Sequence, residues 1–556
     1  MSTEKNRDNS VVTKLWDCTI CRIGILIFAA VLSILFLASI FSNQLLNWII
    51  KPQIVNSINN ENINIKIGGI DYSFFQNKLI GFNSELVLKN CSTTSCDTTQ
   101  VIIPVITINN FNFISFLFGN GYSFGSISTD HVNISVNEYR KTTVGEENKT
   151  QNPSDSTILQ RLARSLPDYV KPFSINHLQI NSASIVRNTY SDETTIDSIK
   201  QISISISDIN IRKKSLSKGK DSSIGEIKLL LNGIHRKMLG TGYDFKISTI
   251  SYFSDIKRLS IKDFEFKPFI SDVKFFERRQ YRSDRWIIKI PEIKTIGINL
   301  LSLLEKNLLT VDSLIVSDFN VAIVINKTRP ADPKSDPKMP HELITSLGFK
   351  LELKKLIVNN SSFLIQSIMP NVKRRAQLTF NNINAVINNI SNTKDKQTVK
   401  NPCTINAAGY LQETGKLKVE LSYPLLTKEL TFDYKGSMDK MDAVKLNSHL
   451  EVEDKAHIES GKIIKATFSV NVNKSVAAVN IIPLYDSLSI KILTEDSESK
   501  SIIPSFFAKF KIRKSNPDDN GKIKSANVTY IKKPSDAFLD VVWLSILKGL
   551  GEVVGF

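Results

Sequence analysis

The chain is 556 residues long, with 71 Lys+Arg against 54 Asp+Glu, a net charge of +17, and a composition 42% hydrophobic and 22% charged. A hydrophobic fraction near the globular average excludes wholesale disorder, and 5 Cys in a chain of this length exclude a disulfide scaffold. Six scattered His leave little for metal chemistry, and no metal site or cofactor is expected.

Residues 1–22 read as a cytoplasmic tail and 23–41 as a transmembrane helix. From Ile23 to Phe41 the chain is IGILIFAAVLSILFLASIF, free of charge, with Ile23, Ile27, Leu32, Leu35 and Phe41 among its anchoring side chains. That run has the length a helix needs to cross hydrocarbon and exceeds the apolar stretch of a cleaved signal peptide. Lys5, Arg7, Lys14 and Arg22 precede it, and only Lys51 follows closely. The positive-inside rule then predicts a single pass with the body exported. In an oxidising compartment Cys91 and Cys96, in the loop CSTTSC, are able to close a small disulfide, although two free thiols fit the sequence equally.

Beyond the anchor, period-two alternation predicts half-buried strands. Ile63/Ile65/Ile67, Val132/Ile134/Val136, Ile202/Ile204/Ile206 and Val321/Ile323/Ile325 each place an apolar set on one face. Helix is expected over 158–166, 341–347 and at the C-terminus. The strands also repeat at long range. Ile103-Pro-Val-Ile106, Phe111, Ser126, Asn133 and Ile134 match Ile290-Pro-Glu-Ile293, Ile298, Ser313, Asn320 and Val321 without a gap. Tyr72 with Leu79 parallels Tyr252 with Leu259, Phe173–Asn181 parallels Leu351–Asn359, and Ile204–Ile209 parallels Leu378–Ile383. Polar linkers, Asn137–Thr157 and Asn326–Pro340, fall at equivalent places and read as mobile excursions. The reading is therefore two tandem copies of one β-module, 55–215 and 240–395, then a C-terminal β region, 400–533, and an amphipathic helix, 536–556.

A sheet with one apolar face covers it with another layer or with something that is not protein. Alternation alone fits both a self-filled sandwich and an open trough. The order of parts resembles the AsmA-like family of bacterial envelope proteins, of the Bacteroidota type. The likeness rests on the single N-terminal helix, on Ile65-Lys-Ile-Gly-Gly-Ile-Asp-Tyr-Ser-Phe74 leading to Lys78-Leu-Ile-Gly-Phe82, and on Ile103-Pro-x-Ile106. Towards the C-terminus it rests on His457–Gly461, Ile482–Ile490, Lys511–Pro517 and Trp543–Leu550. The resemblance implies an inner-membrane anchor, a periplasmic body, and an elongated antiparallel β-array folded as a taco-like groove that takes phospholipid for outer-membrane biogenesis. The twelve residues of the four alternating runs are then the candidate groove lining. An envelope scaffold of self-filled sandwiches is the alternative, and outer-membrane or envelope proteins are further partners left open.

Basic clusters at Arg278, Arg279, Arg282 and Arg285 and at Lys509–Lys533 suit an anionic surface. Nucleic acid is not an expected partner, because no recognition module is present. The sequence holds no nucleophile elbow, phosphate loop or metalloprotease motif, so no catalytic residue is assigned and the protein is not expected to be an enzyme. Asp536, Asp540, Lys548 and Glu552 fall on one side of the C-terminal helix, which is expected to cap the end of the β-array.

Overall fold

Alternating apolar and polar residues put most of the chain after residue 62 into strands, and the computed structural model shows how they pair. It describes residues 43–73, 75–91, 95–111, 121–139, 172–191, 194–211, 222–493 and 512–555, with the isolated positions 27, 30, 33 and 41. The described chain is mainly β, mostly antiparallel, and divides into two units. Among the described residues, one comprises those up to Tyr139 with 172–187 and 202–224; the other comprises 188–201 and those from Gly225 onward. Most of the expected anchor lies outside the described residues. Ile27 and Phe41 are helical and exposed, and among the described residues no helix is long and apolar enough to cross a membrane.

The first unit contains β1 (Ile63–Lys66), β2 (Gly69–Ser73), β3 (Lys78–Cys91), β4 (Cys96–Asn109), β5 (Tyr122–Asp130) and β6 (Val132–Tyr139), with parts of β7 (Phe173–Tyr190) and β8 (Thr195–Ile211). β1 and β2 lie end to end along β3, and β4 pairs with the other edge of β3. β5 and β6 lie end to end on the far edge of β4, and β7 runs parallel to β5. The exposed edge of β2 is closed by helix rather than strand. Asn47 donates to Ile70 O (2.5 Å) and accepts from Ile70 N (2.9 Å), while Asn43 accepts from Tyr72 N (2.5 Å). These two helical amides, one turn apart, take the place of a neighbouring backbone and blunt the edge. A π-helical turn, Leu46–Ile50, and α1 (Lys51–Ile58) continue from them.

The second unit opens with β9 (Ile227–Met238), β10 (Tyr243–Phe253) and β11 (Arg258–Pro268), then α2 (Asp272–Glu277) and β12 (Asp284–Ile296). α3 (Leu300–Lys306), β13 (Leu308–Ser317), β14 (Asn320–Asn326) and α4 (Pro340–Thr345) follow. Next come β15 (Lys350–Ile368), β16 (Ala376–Ser391), β17 (Cys403–Leu411), β18 (Gly415–Tyr423), β19 (Thr431–Met438) and β20 (Met441–Asp442). The chain ends with α5 (Asn447–Glu453), β21 (Ala456–Asn473), β22 (Val476–Ile492), β23 (Ala526–Ile531) and α6 (Phe538–Val554). The expected helix at 341–347 is thus α4; the one at 158–166 lies outside the described residues.

The repeat is visible residue by residue in the registers. Tyr72 pairs with Leu79 and Tyr252 with Leu259; Val101 pairs with Ile134 and Ile288 with Val321; Tyr122 pairs with Phe173 and Leu309 with Leu351. β1 and β2 together occupy the place of β10, and Asn43 and Asn47 stand where β9 does. Left-handed backbone recurs at Asn77 and Lys257 (φ 46° and 48°), Asn83 and Asp263 (48° and 51°), His131 and Asp318 (54° and 56°), and Asp208 and Asn382 (50° and 49°). At a further equivalent pair the bulk is exchanged. The first copy has Asn110 facing Gly125, where a Cβ would meet Asn110 Nδ2 at 2.5 Å. The second has Gly297 facing Asp312, whose Oδ2 lies 1.9 Å from where a Gly297 Cβ would sit. One side chain fits this gap, and each copy supplies it from the opposite strand.

The left-handed positions within strands carry out a specific task. In β10, which has no left-handed residue, the buried apolar residues are Tyr243 and Ile247, then Tyr252, so the parity slips between Ile247 and Tyr252. β11 slips at Asp263, β15 near Asn360 and β16 near Asn382, the last two with register shifts. One extra residue on each strand returns the apolar set to the same face and bends the strand. Asn360 Nδ2 donates to Asp318 Oδ1 (2.7 Å), and Asn384 Oδ1 accepts from Asn360 N (3.1 Å), so the bends are tied into a polar seam. Asn and Asp tolerate αL backbone where β-branched residues do not. Asn382→Val is therefore expected to cost about 1–2 kcal/mol, and Asn382→Gly less than about 1 kcal/mol, read from urea unfolding midpoints.

Two expectations need correction. The array is not purely antiparallel, because β5–β7, β13–β15 and β14–β15 are parallel pairs. Parallel neighbours require a crossover, and 327–349 provides it, returning the chain from the end of β14 to the start of β15. This linker is accordingly a tethered connection rather than a loose excursion. Lys327 Nζ reaches Glu453 Oε2 (2.5 Å) and Arg282 N donates to Pro330 O (2.8 Å). The equivalent linker after β6 lies outside the described residues.

Candidate functional site

Directly paired residues share a face of a sheet, so the registers show which side chains come together. In the first unit Ile65, Leu86, Val101 and Ile134 form one row across β1, β3, β4 and β6. A second row runs Ile63, Leu88, Thr99 and Val136. In the second unit the equivalent first row is longer: Phe245, Phe266, Ile288, Val321, Phe363, Phe380 and Leu411, from β10 to β17. Its neighbour runs Trp286, Ile323, Ile365 and Leu378.

The sequence-predicted residues sort onto this pattern. Ile65, Ile134 and Val321 lie in the first rows, and Ile63, Val136 and Ile323 in the second. By the repeat equivalence Ile204 and Ile206 match Leu378 and Phe380, and Ile202 matches Ala376. Ile67 and Val132 lie beside the polar seam, and Ile325 lies beyond the second row, opposite Asp284. Val132, Ile202 and Ile323 are buried, and the other nine are partly exposed. Leu86, Val101, Phe245, Phe266, Ile288, Phe363 and Phe380 were not singled out in the sequence. The parity slip at the seam breaks their strands into alternating pieces too short to stand out.

The opposite face is wet around Glu85 and Glu265, whereas α2 covers it at Val324. Lys66 pairs with Glu85 (3.2 Å) and Gln100 donates to the same carboxylate (2.8 Å). At the equivalent place Glu265 takes Lys267 (2.9 Å) and Lys289 (3.7 Å). Hydrogen bonds from Gln100 and Lys66, with the charge of Lys66, hold the Glu85 carboxyl below the usual carboxylate range. Such exposed pairs contribute little stability but fix which face meets water.

Six residues of the long row, Phe245 to Phe380, remain partly exposed, whereas Leu411 at its end is buried. There it meets a cluster of Leu378, Leu411 and Met441 with Phe380, Met438, Ile463 and Trp543 of α6. From β17 onward α6 covers the same face. Ile405, Leu421, Tyr434, Val470, Val479 and Val528 form a row in direct register. The buried stripe of the helix is Val541, Ser545, Gly549 and Val553, every fourth residue. Tyr434 OH donates to Val542 O (2.9 Å) and lies 2.5 Å from Ser545 Oγ; burial pushes its hydroxyl up to about 12, against that hydrogen bond. Gly549 allows close approach, since a Cβ there would lie 2.6 Å from Ile481 Cγ2. The helix therefore packs along the apolar face.

Part of each basic cluster is engaged within the fold. Arg285 ion-pairs with Asp272 (3.0 Å), and Arg279 donates to Thr241 O (3.4 Å) and lies over the Phe275 ring. Arg513 bonds Ser515 O (2.9 Å) and Lys522 O (2.6 Å), and Lys524 caps the last turn of α6 through Glu552 O (2.6 Å). Lys509 and Lys511 lie outside the described residues. Cys91 and Cys96 face each other across the β3–β4 turn (Cα–Cα 3.9 Å) and are joined as a disulfide. The fifth cysteine, Cys403, is buried, which pushes its thiol up to about 11. Among the described residues no group of three or more His, Cys, Asp or Glu is placed to hold a metal. No protein-family model matches this chain, and a search of curated proteins returns no match.

Proposed function

We propose that the protein is a membrane-anchored lipid carrier or bridge of a bacterial envelope, with acyl chains lying along the apolar rows of the β-modules. The long row from Phe245 to Phe380 carries this reading: six apolar side chains in direct register, partly exposed, with no polar residue among them. A sheet face offers no backbone hydrogen bonds, because its N–H and C=O groups are spent in the ladder. A peptide strand laid on that face would bury unsatisfied amides; an alkyl chain has none to satisfy. Each methylene that leaves water for such a row contributes about 0.8 kcal/mol. The charge-free run from Ile23 to Phe41 supports an inner-membrane anchor, and the basic residues before it support a periplasmic body. Phospholipid is the ligand of choice, since its headgroup stays in water while its tails are buried. No catalytic role enters this reading.

The test is mass spectrometry of the full chain extracted with its surrounding bilayer, combined with photo-crosslinking from Val321 and Ile134. Phospholipid adducts at both positions are the expected result. Adducts only to protein, or a closed face that yields none, would leave the scaffold reading in place of the lipid one.

A further inference from the structure

The face whose long row stays partly exposed from β10 to β16 is the face that α6 covers from β17 to β23, and Leu378 and Leu411, where the two meet, are buried. Trp543 stands at that boundary. It packs with Leu378 and Leu411, the last members of the two rows, and with Met438, Met441 and Ile463 behind them. We infer that Trp543 is the end wall of the acyl site: chains lie across the strands with their methyl ends against the indole, and the site is blind on the α6 side. This rests on the lipid reading above and adds to it a direction and a length limit.

Three observations support the assignment. The rows end here because the face is filled, not because the residues turn polar; Ile405, Leu421 and Tyr434 continue an apolar surface beneath the helix. The occupant of that continuation is a mostly apolar helix stripe, with Ser545 its one polar side chain, bonded to Tyr434 of the face. The neighbouring row, Trp286, Ile323, Ile365 and Leu378, also has a tryptophan at its other end. At roughly 4.8 Å per strand its three steps span about 14 Å, close to the length of one hydrocarbon leaflet, about 15 Å from a core of about 30 Å.

The two indoles make the inference measurable. The full chain, with Trp16 and Trp48 replaced by Phe, is placed in nanodiscs with stearic acid brominated either at the terminal carbon or at mid-chain. In one version Trp286→Phe leaves Trp543 as reporter, and in the other Trp543→Phe leaves Trp286. Terminal bromine is expected to quench Trp543 at least twice as strongly as mid-chain bromine, with the order reversed or equalised at Trp286. Equal quenching of Trp543 by both probes, or quenching of Trp286 alone, would overturn the end wall while leaving lipid binding intact. Quenching of neither reporter would overturn the end wall and the lipid reading together. As a second measurement, Trp543→Ala is expected to shift the chains bound from a mixed-length fatty acid pool upward by two or more carbons. An unshifted pool would reject the length limit.

Discussion

Val321→Asp is expected to strip bound lipid from the second unit while the chain still folds. Val321 sits in the middle of the long row, between Ile288 and Phe363, and is partly exposed. With the row unoccupied, the new carboxylate keeps access to water and costs some apolar burial and strand preference. With an acyl chain over it, the same carboxylate is held against hydrocarbon, at a cost of about 2.5–3.5 kcal/mol. That corresponds to roughly 60- to 300-fold weaker retention at 1.4 kcal/mol per factor of ten. Lipid per chain, measured by mass spectrometry after nanodisc extraction, is expected to fall more than tenfold at positions crosslinked from the second unit. Asn320→Asp, one residue away and on the wet face opposite Lys289, is expected to leave lipid unchanged. Undiminished lipid in a folded Val321→Asp chain would show that the row is not where the chains lie. Ile134→Asp repeats the test at the equivalent position of the first unit.

The comparison between Val321 and Ile134 is possible because the repeat is legible in the sequence alone. Shared Pro, Ser and Asn landmarks aligned Ile103–Ile134 with Ile290–Val321, and the registers place these residues at matching points in the sheets. Alternation also revealed six of the nineteen row members, because β1, β6 and β14 are short enough to keep one parity. It missed Phe245, Phe266 and Phe380 because their strands change parity at the polar seam. In β11 and β16 a left-handed Asp263 or Asn382 resets the face, so two correctly phased halves look like one poorly phased strand. The signal that would have revealed them is an Asn or Asp recurring at one repeat position between two alternating pieces, as Asn83 and Asp263 do. Parallel pairing was illegible for a different reason. β13 and β14 lie in line on β12, and only the length of the polar connection to β15 hints that the chain must travel back. The engagement of Arg285 and Lys524 was equally hidden, since a basic run carries no record of which carboxylates and carbonyls the fold will bring to it.

Phe432→Ala is expected to be the most damaging single substitution for the C-terminal half. Phe432 is 0% exposed, and its ring lies 5.3 Å from Tyr423, 5.8 Å from Tyr434 and 5.1 Å from Phe538, between centroids. Truncating a buried Phe in such a setting costs about 3–5 kcal/mol, from lost transfer energy and the residual cavity. Because Phe538 begins α6, part of that loss falls on docking of the helix rather than on the sheet beneath. The face under α6 is itself an apolar row, from Ile405 to Val528, so undocking exposes it as a continuation of the open one. A docking loss of 3 kcal/mol raises the undocked population on the order of a hundredfold. Limited proteolysis within 536–556 is then expected to accelerate ahead of cleavage elsewhere, accompanied by a red shift of Trp543 emission and a lower unfolding midpoint. Cleavage that accelerates evenly along β17–β23 would instead show that helix and sheet unfold as one body. A change in stability below about 1 kcal/mol would contradict the packing at Phe432 itself. If the helix is released first, chains bound by Phe432→Ala are expected to be longer than those of the native protein, as with Trp543→Ala. Two substitutions on different elements would then reach the same result, one by removing the wall and the other by loosening the helix that carries it.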